Sequence, residues 1–109
     1  LDVVVDVRKG SPTFGQHQAV ELSAENKKQL LVPKGFAHGF VVLSDTAIFS
    51  YKVDALYSFE NERGLAFDDP SLNIDWGLEK SALILSDKDT KNPTLENADL
   101  FDYNINYYE

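Results

Sequence analysis

Short runs of Val, Ile, Phe and Tyr divided by turn residues give this chain the pattern of an all-β sandwich or barrel. Residues 1–8 predict a first strand, with Val3, Val5 and Val7 alternating against Asp2, Val4 and Asp6. Lys9-Gly10-Ser11-Pro12-Thr13 is a turn, and residues 14–22 predict a second strand. Ser23-Ala24-Glu25-Asn26 reads as a turn or a single helical turn capped by Ser23, and residues 28–32 as a third strand. At Pro33-Lys34-Gly35 the proline presets φ at the first corner and the glycine accepts the positive φ that follows. Residues 38–43 and 46–53 then predict a hairpin that turns at Ser44-Asp45. Beyond it the pattern loosens to a short strand near residues 65–67, between turn clusters, and a last apolar run at 83–85. Leu95, Ala98, Leu100 and Phe101 recur at roughly helical spacing before a polar, Tyr-rich end, expected to be disordered or held by a partner.

Composition narrows the function classes. The 109 residues, 43% hydrophobic, suit a single globular domain. With no cysteine, disulfides, thiolate nucleophiles and Cys-based zinc sites are excluded. His17 and His38 are the only histidines, so no multi-histidine metal site can be assembled from this chain alone. The net charge of −8 is concentrated in residues 53–109, where thirteen acidic side chains face four basic ones. That surface repels phosphate backbones, which argues against nucleic-acid binding. No apolar run approaches a membrane span and no signal-peptide pattern is present, so the expected location is the cytoplasm. The opening Leu1-Asp2-Val3-Val4-Val5 lacks an initiator methionine, which leads us to expect that the N-terminal part of a longer protein is absent.

Three places could carry chemistry. In Pro33-Lys34-Gly35-Phe36-Ala37-His38-Gly39-Phe40 a histidine opens a strand just after a tight turn, either aimed into a barrel mouth or satisfying a backbone carbonyl. Tyr51 lies on the strand expected to pair with that of His38; its phenol is either a proton donor or cross-strand packing. In Ser86-Asp87-Lys88-Asp89 a carboxylate after an apolar run could orient a histidine, or sit in a solvated turn. Glu60, Glu62 and Arg63 form a further charged cluster that spacing alone leaves as a surface ion pair.

Taken in order, Asp6-Val7-Arg8-Lys9-Gly10-Ser11-Pro12-Thr13-Phe14-Gly15, Glu21 to Asn26, Pro33 to Phe40, Leu43 to Ala47, Tyr51-Lys52, Glu62-Arg63-Gly64, Asp68-Asp69-Pro70, Ile74-Asp75-Trp76 and Ser86-x-Lys88-Asp89 closely resemble the dTDP-4-dehydrorhamnose 3,5-epimerase family. The resemblance covers roughly residues 2–100. It implies a single cupin-type β jelly roll over 1–109, incomplete at its N-terminus and with short helical segments near the C-terminus. It further implies a homodimer that uses neither metal nor organic cofactor and acts on a dTDP-4-keto-6-deoxyhexose. By the same resemblance Tyr51 is the proton donor, and Asp89 orients and charges the base. His38 hydrogen-bonds the sugar ketone region, and Glu62, Lys88 and Tyr57 contact the substrate. The family's base, a histidine in an Arg-Gly-Leu-His string, has no counterpart in this chain, and Ala55 stands where the family usually has Asp or Asn. The alternatives are a related epimerase inverting only C3 or only C5, and a noncatalytic sugar-nucleotide-binding cupin.

Overall fold

A computed structural model describes residues 1–109. The β-branched run Val3-Val4-Val5 forms the centre of strand β1 (Asp2–Asp6), because such side chains fit a pleated surface covered on both sides. β3 (His17–Val20) and β4 (Phe36–Phe40) flank it, both antiparallel, in the order β3-β1-β4. The predicted first strand divides at Val7: β2 (Arg8–Lys9) leaves this sheet and pairs in parallel with β5 (Phe101–Asp102). The remaining regular structure is three single 3₁₀ turns at Phe59–Asn61, Lys80–Ala82 and Lys88–Thr90, so the regular structure is mostly β with few helical residues.

Both sets of alternating side chains on β1 are buried, rather than one. On one face Val5 and Val7 pack with Leu72, backed by Ala37, Leu65, Ile74, Leu95 and Leu100. The other face carries Asp2, Val4 and Asp6, and its two carboxylates each need a partner to be tolerated there. Asp6, 1% exposed, accepts from Arg8 Nε at 2.9 Å, Arg8 Nη2 at 2.8 Å, Ser11 Oγ at 2.6 Å and Thr13 Oγ1 at 2.5 Å. Burial alone would raise its pKa, but these bonds and the one from the Arg8 backbone N–H outweigh burial and hold the carboxyl well below the ordinary aspartate value. The Arg8 guanidinium in turn lies over the rings of Phe36 and Tyr103, at 4.7 and 5.1 Å from their centroids.

Gly35 has the positive φ its turn predicts, +90°, and a Cβ there would come within 2.6 Å of Arg8 Cγ. Gly35→Ala is therefore expected to lower stability by about 2 kcal/mol or more, from the left-handed backbone and the displaced Arg8 together. A denaturant midpoint unchanged by the substitution would show that the turn does not brace the Asp6–Arg8 cluster.

Several expected elements do not form. The second strand shrinks to β3, because Phe14 and Gln16 close turns on Ser11 and Thr13. Residues 28–32 and 46–53 have strand-like composition but no ladder, and Leu31 and Ile48 are 89% and 99% exposed. Composition cannot make a strand without a neighbouring edge, and neither segment lies hydrogen-bonded along the free edge of β3 or β4. For the same reason residues 65–67 and 83–85 stay irregular, although Ala66 N–H bonds to the Pro93 carbonyl. The helical spacing after Leu95 yields a turn at Thr94–Asn97 and then β5, since Leu95 and Leu100 both point into the β1 core. The Tyr-rich end is held by its own chain: Lys34 N–H donates to Tyr108 Oη, and Asp102 N–H to Tyr107 Oη.

The accessible surface is 8746 Å², against about 6,000 Å² expected from surface–mass scaling for a monomer of 12.2 kDa. Large apolar side chains contribute to the excess, among them Leu31, Ile48, Val53, Leu56, Phe59 and Ile84.

Candidate functional site

Antiparallel register brings the first group together. His38 on β4 lies opposite Val4, and Phe40 opposite Asp2, so Asp2 is the diagonal neighbour of His38 on the same face. His38 Nε2 and the buried Asp2 carboxylate form a hydrogen bond there, and the imidazole stays a third exposed. The half-buried Phe49 ring stacks on Phe40 at 4.0 Å and 7°, lies 6.0 Å from the His38 ring, and contacts Tyr51 at 5.6 Å. Tyr51 itself is 71% exposed. Its hydroxyl is free of protein hydrogen bonds, as a group that must reach a ligand would be.

A second group forms between the first 3₁₀ turn and the third. Tyr57 Oη donates to Glu62 Oε2 at 2.7 Å and Lys88 Nζ donates to Glu62 Oε1 at 2.6 Å, so one carboxylate joins all three side chains. The Lys88 ammonium, followed by the Tyr57 hydrogen bond, lowers the Glu62 pKa, while Glu62 raises those of Lys88 and Tyr57. All three are exposed, so the network orients charge more than it stabilises the fold. Asp89 begins its turn with a backbone N–H bonded to the Ser86 carbonyl at 3.1 Å, and its carboxylate is exposed without a partner.

Of the six residues singled out in the sequence, the structure thus gathers His38 and Tyr51 through Phe49, and Tyr57, Glu62 and Lys88 through their hydrogen bonds. No hydrogen bond, ion pair or ring contact links these groups to each other or to the Asp89 carboxylate. Asp2 and Phe49 were missed. An acid inside an apolar run was the available signal for Asp2, since it could be buried only with a partner. The signal for Phe49 was weaker, a ring two residues before Tyr51.

A depression of about 290 Å³ lies elsewhere, between Phe67, Asp69, Trp76 and Leu83, with the paired Asp68 and Lys80 in its lining. None of the six candidates lines it. Trp76 Nε1–H donates there to the Phe67 carbonyl and Lys80 pairs with Asp68, and none of the residues expected to transfer protons is present, so we place the site at the two groups described above. No three His, Asp or Glu side chains converge as a metal centre would require.

The sequence profile of dTDP-4-dehydrorhamnose 3,5-epimerase matches residues 1–97. The chain belongs to this epimerase family. It is 53% identical over 101 residues to the dTDP-4-dehydrorhamnose 3,5-epimerase of Shigella flexneri, covering 93% of this chain and 55% of that protein. The Pseudomonas aeruginosa epimerase is 52% identical with the same coverage. Among solved structures, the dTDP-6-deoxy-D-glucose-3,5-epimerase of Legionella pneumophila in complex with dTDP-4-keto-L-rhamnose is 48% identical, with a TM-score of 0.90 over 95% of this chain and 56% of that one. The epimerase from Elizabethkingia anophelis is 54% identical, with a TM-score of 0.84 over 87% of this chain and 52% of its own. The chain spans about half the length of the epimerases it matches.

Proposed function

We propose that residues 1–109 are part of a dTDP-4-dehydrorhamnose 3,5-epimerase: a cytoplasmic homodimer with a cupin-type jelly-roll domain that inverts C3 and C5 of dTDP-4-dehydro-6-deoxy-D-glucose. The carrying observation is the 0.90 TM-score, at 48% identity, to an enzyme holding dTDP-4-keto-L-rhamnose. The exposed large apolar side chains support an assembled state, and the total surface exceeds the expected monomer value by about 2,700 Å², several times one side of a standard protein–protein interface. In the full-length dimer this surface is covered by further polypeptide of the same protein and by the second subunit.

The chemistry follows from the C4 ketone, which acidifies the C–H bonds at C3 and C5 and so makes metal or organic cofactor unnecessary. A histidine base outside these 109 residues takes the proton, and the C–H electron pair moves into an enolate with its charge on O4. Tyr51 donates its phenolic proton to the opposite face of the same carbon, and solvent restores the phenol. Asp89 orients and charges the base. His38 stabilises the enolate oxygen: Asp2 occupies Nε2, so Nδ1 is the nitrogen left for the sugar and donates when protonated. Glu62, Lys88 and Tyr57 contact the sugar nucleotide as one hydrogen-bonded group.

Full-length protein supplied with dTDP-4-dehydro-6-deoxy-D-glucose, and with no added cofactor, is expected to form dTDP-4-dehydro-L-rhamnose, followed by proton NMR. Inversion at one carbon alone would place it with a singly epimerising enzyme, and binding without conversion would make it a binding protein.

A further inference from the structure

We infer that Phe49 is a positioning residue that sets the place of Tyr51 relative to the His38–Asp2 pair, an inference resting on the assignment of Tyr51 as proton donor. Within residues 1–109 no backbone hydrogen bond involves any residue from 42 to 57, so here the segment carrying Tyr51 is tied to β4 through side chains. Its polar ties are the local bond from Ser44 Oγ to the Thr46 carbonyl, the exposed ion pair of Lys34 with Asp54, and the bond of Tyr57 to Glu62. Within residues 46–53 only the side chain of Phe49 is sheltered. That ring lies flat on Phe40, with its centroid 6.0 Å from that of His38 and 5.6 Å from that of Tyr51. His38 and Phe40 are two apart on β4 and share a face, and Phe49 and Tyr51 are two apart on the crossing segment. A single ring therefore joins the strand that binds the enolate oxygen to the segment that delivers the proton.

Position matters here because the donor must reach the face of the carbon opposite the base. A displacement of order 1 Å costs roughly 10²-fold in such a transfer. An enolate that waits for a misplaced donor regains a proton from the base on the original face, which returns substrate instead of inverted product. In D₂O that return leaves deuterium in recovered substrate once the base has exchanged with solvent. The ratio of substrate exchange to inversion therefore reports donor placement, whereas a general loss of folded enzyme lowers both equally.

The experiment follows this ratio for wild type, Phe49→Leu, Phe49→Tyr and Tyr51→Phe in the full-length enzyme. Phe49→Leu keeps an apolar residue but no ring face, and is expected to raise the ratio about tenfold with KM changed less than about twofold. Phe49→Tyr, which keeps the ring, is expected to return the ratio to within about twofold of wild type. Should Phe49→Leu not fold, Phe40→Leu withdraws the ring beneath Phe49 and is expected to move the ratio the same way. A shifted ratio in Tyr51→Phe with a wild-type ratio in the folded Phe49 or Phe40 variant would overturn the inference alone. A wild-type ratio in Tyr51→Phe would overturn the donor assignment and the inference with it.

Discussion

Tyr51→Phe in the full-length protein is expected to lower turnover about 10²- to 10⁴-fold, the range that a positioned general acid contributes. The fold should be nearly indifferent to the change. Tyr51 is 71% exposed and its hydroxyl bonds to no protein atom, so phenylalanine removes the acidic proton and leaves the ring contact with Phe49. KM should move little, since the lost interaction belongs to the transition state rather than to ground-state binding. Turnover at the wild-type rate would remove Tyr51 from the mechanism. A large fall in melting temperature would instead mean that the hydroxyl has a structural partner in the assembled enzyme.

The second large effect concerns stability. Asp6→Asn is expected to cost about 3 kcal/mol, because it leaves Arg8 without its counter-charge and deprives the Ser11 and Thr13 hydroxyls of a common acceptor. That is a large part of the roughly 5–15 kcal/mol by which a domain is stable. The pH dependence has a definite sign. The folded Asp6 carboxyl titrates well below its ordinary value of about 3.9, so below that pH the unfolded chain binds a proton the folded chain refuses. The Asp6 contribution is complete above about pH 4 and is lost as pH falls through and below that point. Urea midpoints measured from pH 7 down to 3 should therefore drop more gently in Asp6→Asn than in wild type, with Asp69, whose pKa is lowered mainly by the Leu95 N–H, keeping some slope in both. Parallel acid limbs would contradict the assigned role of Asp6.

What the chain alone revealed divides along a physical line. Features fixed locally were legible: the Val run became the central strand, and Pro33-Lys34-Gly35 made its turn with the glycine at positive φ. Features needing a partner distant in sequence were not. Residues 46–53 have the composition of a strand, yet no edge of this chain pairs with them, and Phe49 attaches them by its ring alone. The tail showed helical spacing, but Leu95 and Leu100 are called into the core under β1 and Phe101 pairs beside Val7, so periodicity gives way to tertiary packing. At the site, His38, Tyr51, Glu62, Lys88 and Tyr57 could be picked out because the family resemblance names them. That Asp2 holds His38 follows from the antiparallel register of β1 and β4, which no local pattern encodes.

The most direct test of the central claim is solvent isotope incorporation. Full-length protein turning over dTDP-4-dehydro-6-deoxy-D-glucose in D₂O should place deuterium at both C3 and C5 of the product, one from each protonated enolate, while residues 1–109 alone, which contain no Arg-Gly-Leu-His string, should place it at neither. Absence of deuterium from both carbons with the full-length protein would contradict the epimerase assignment, and incorporation by residues 1–109 alone would contradict a base that lies outside them.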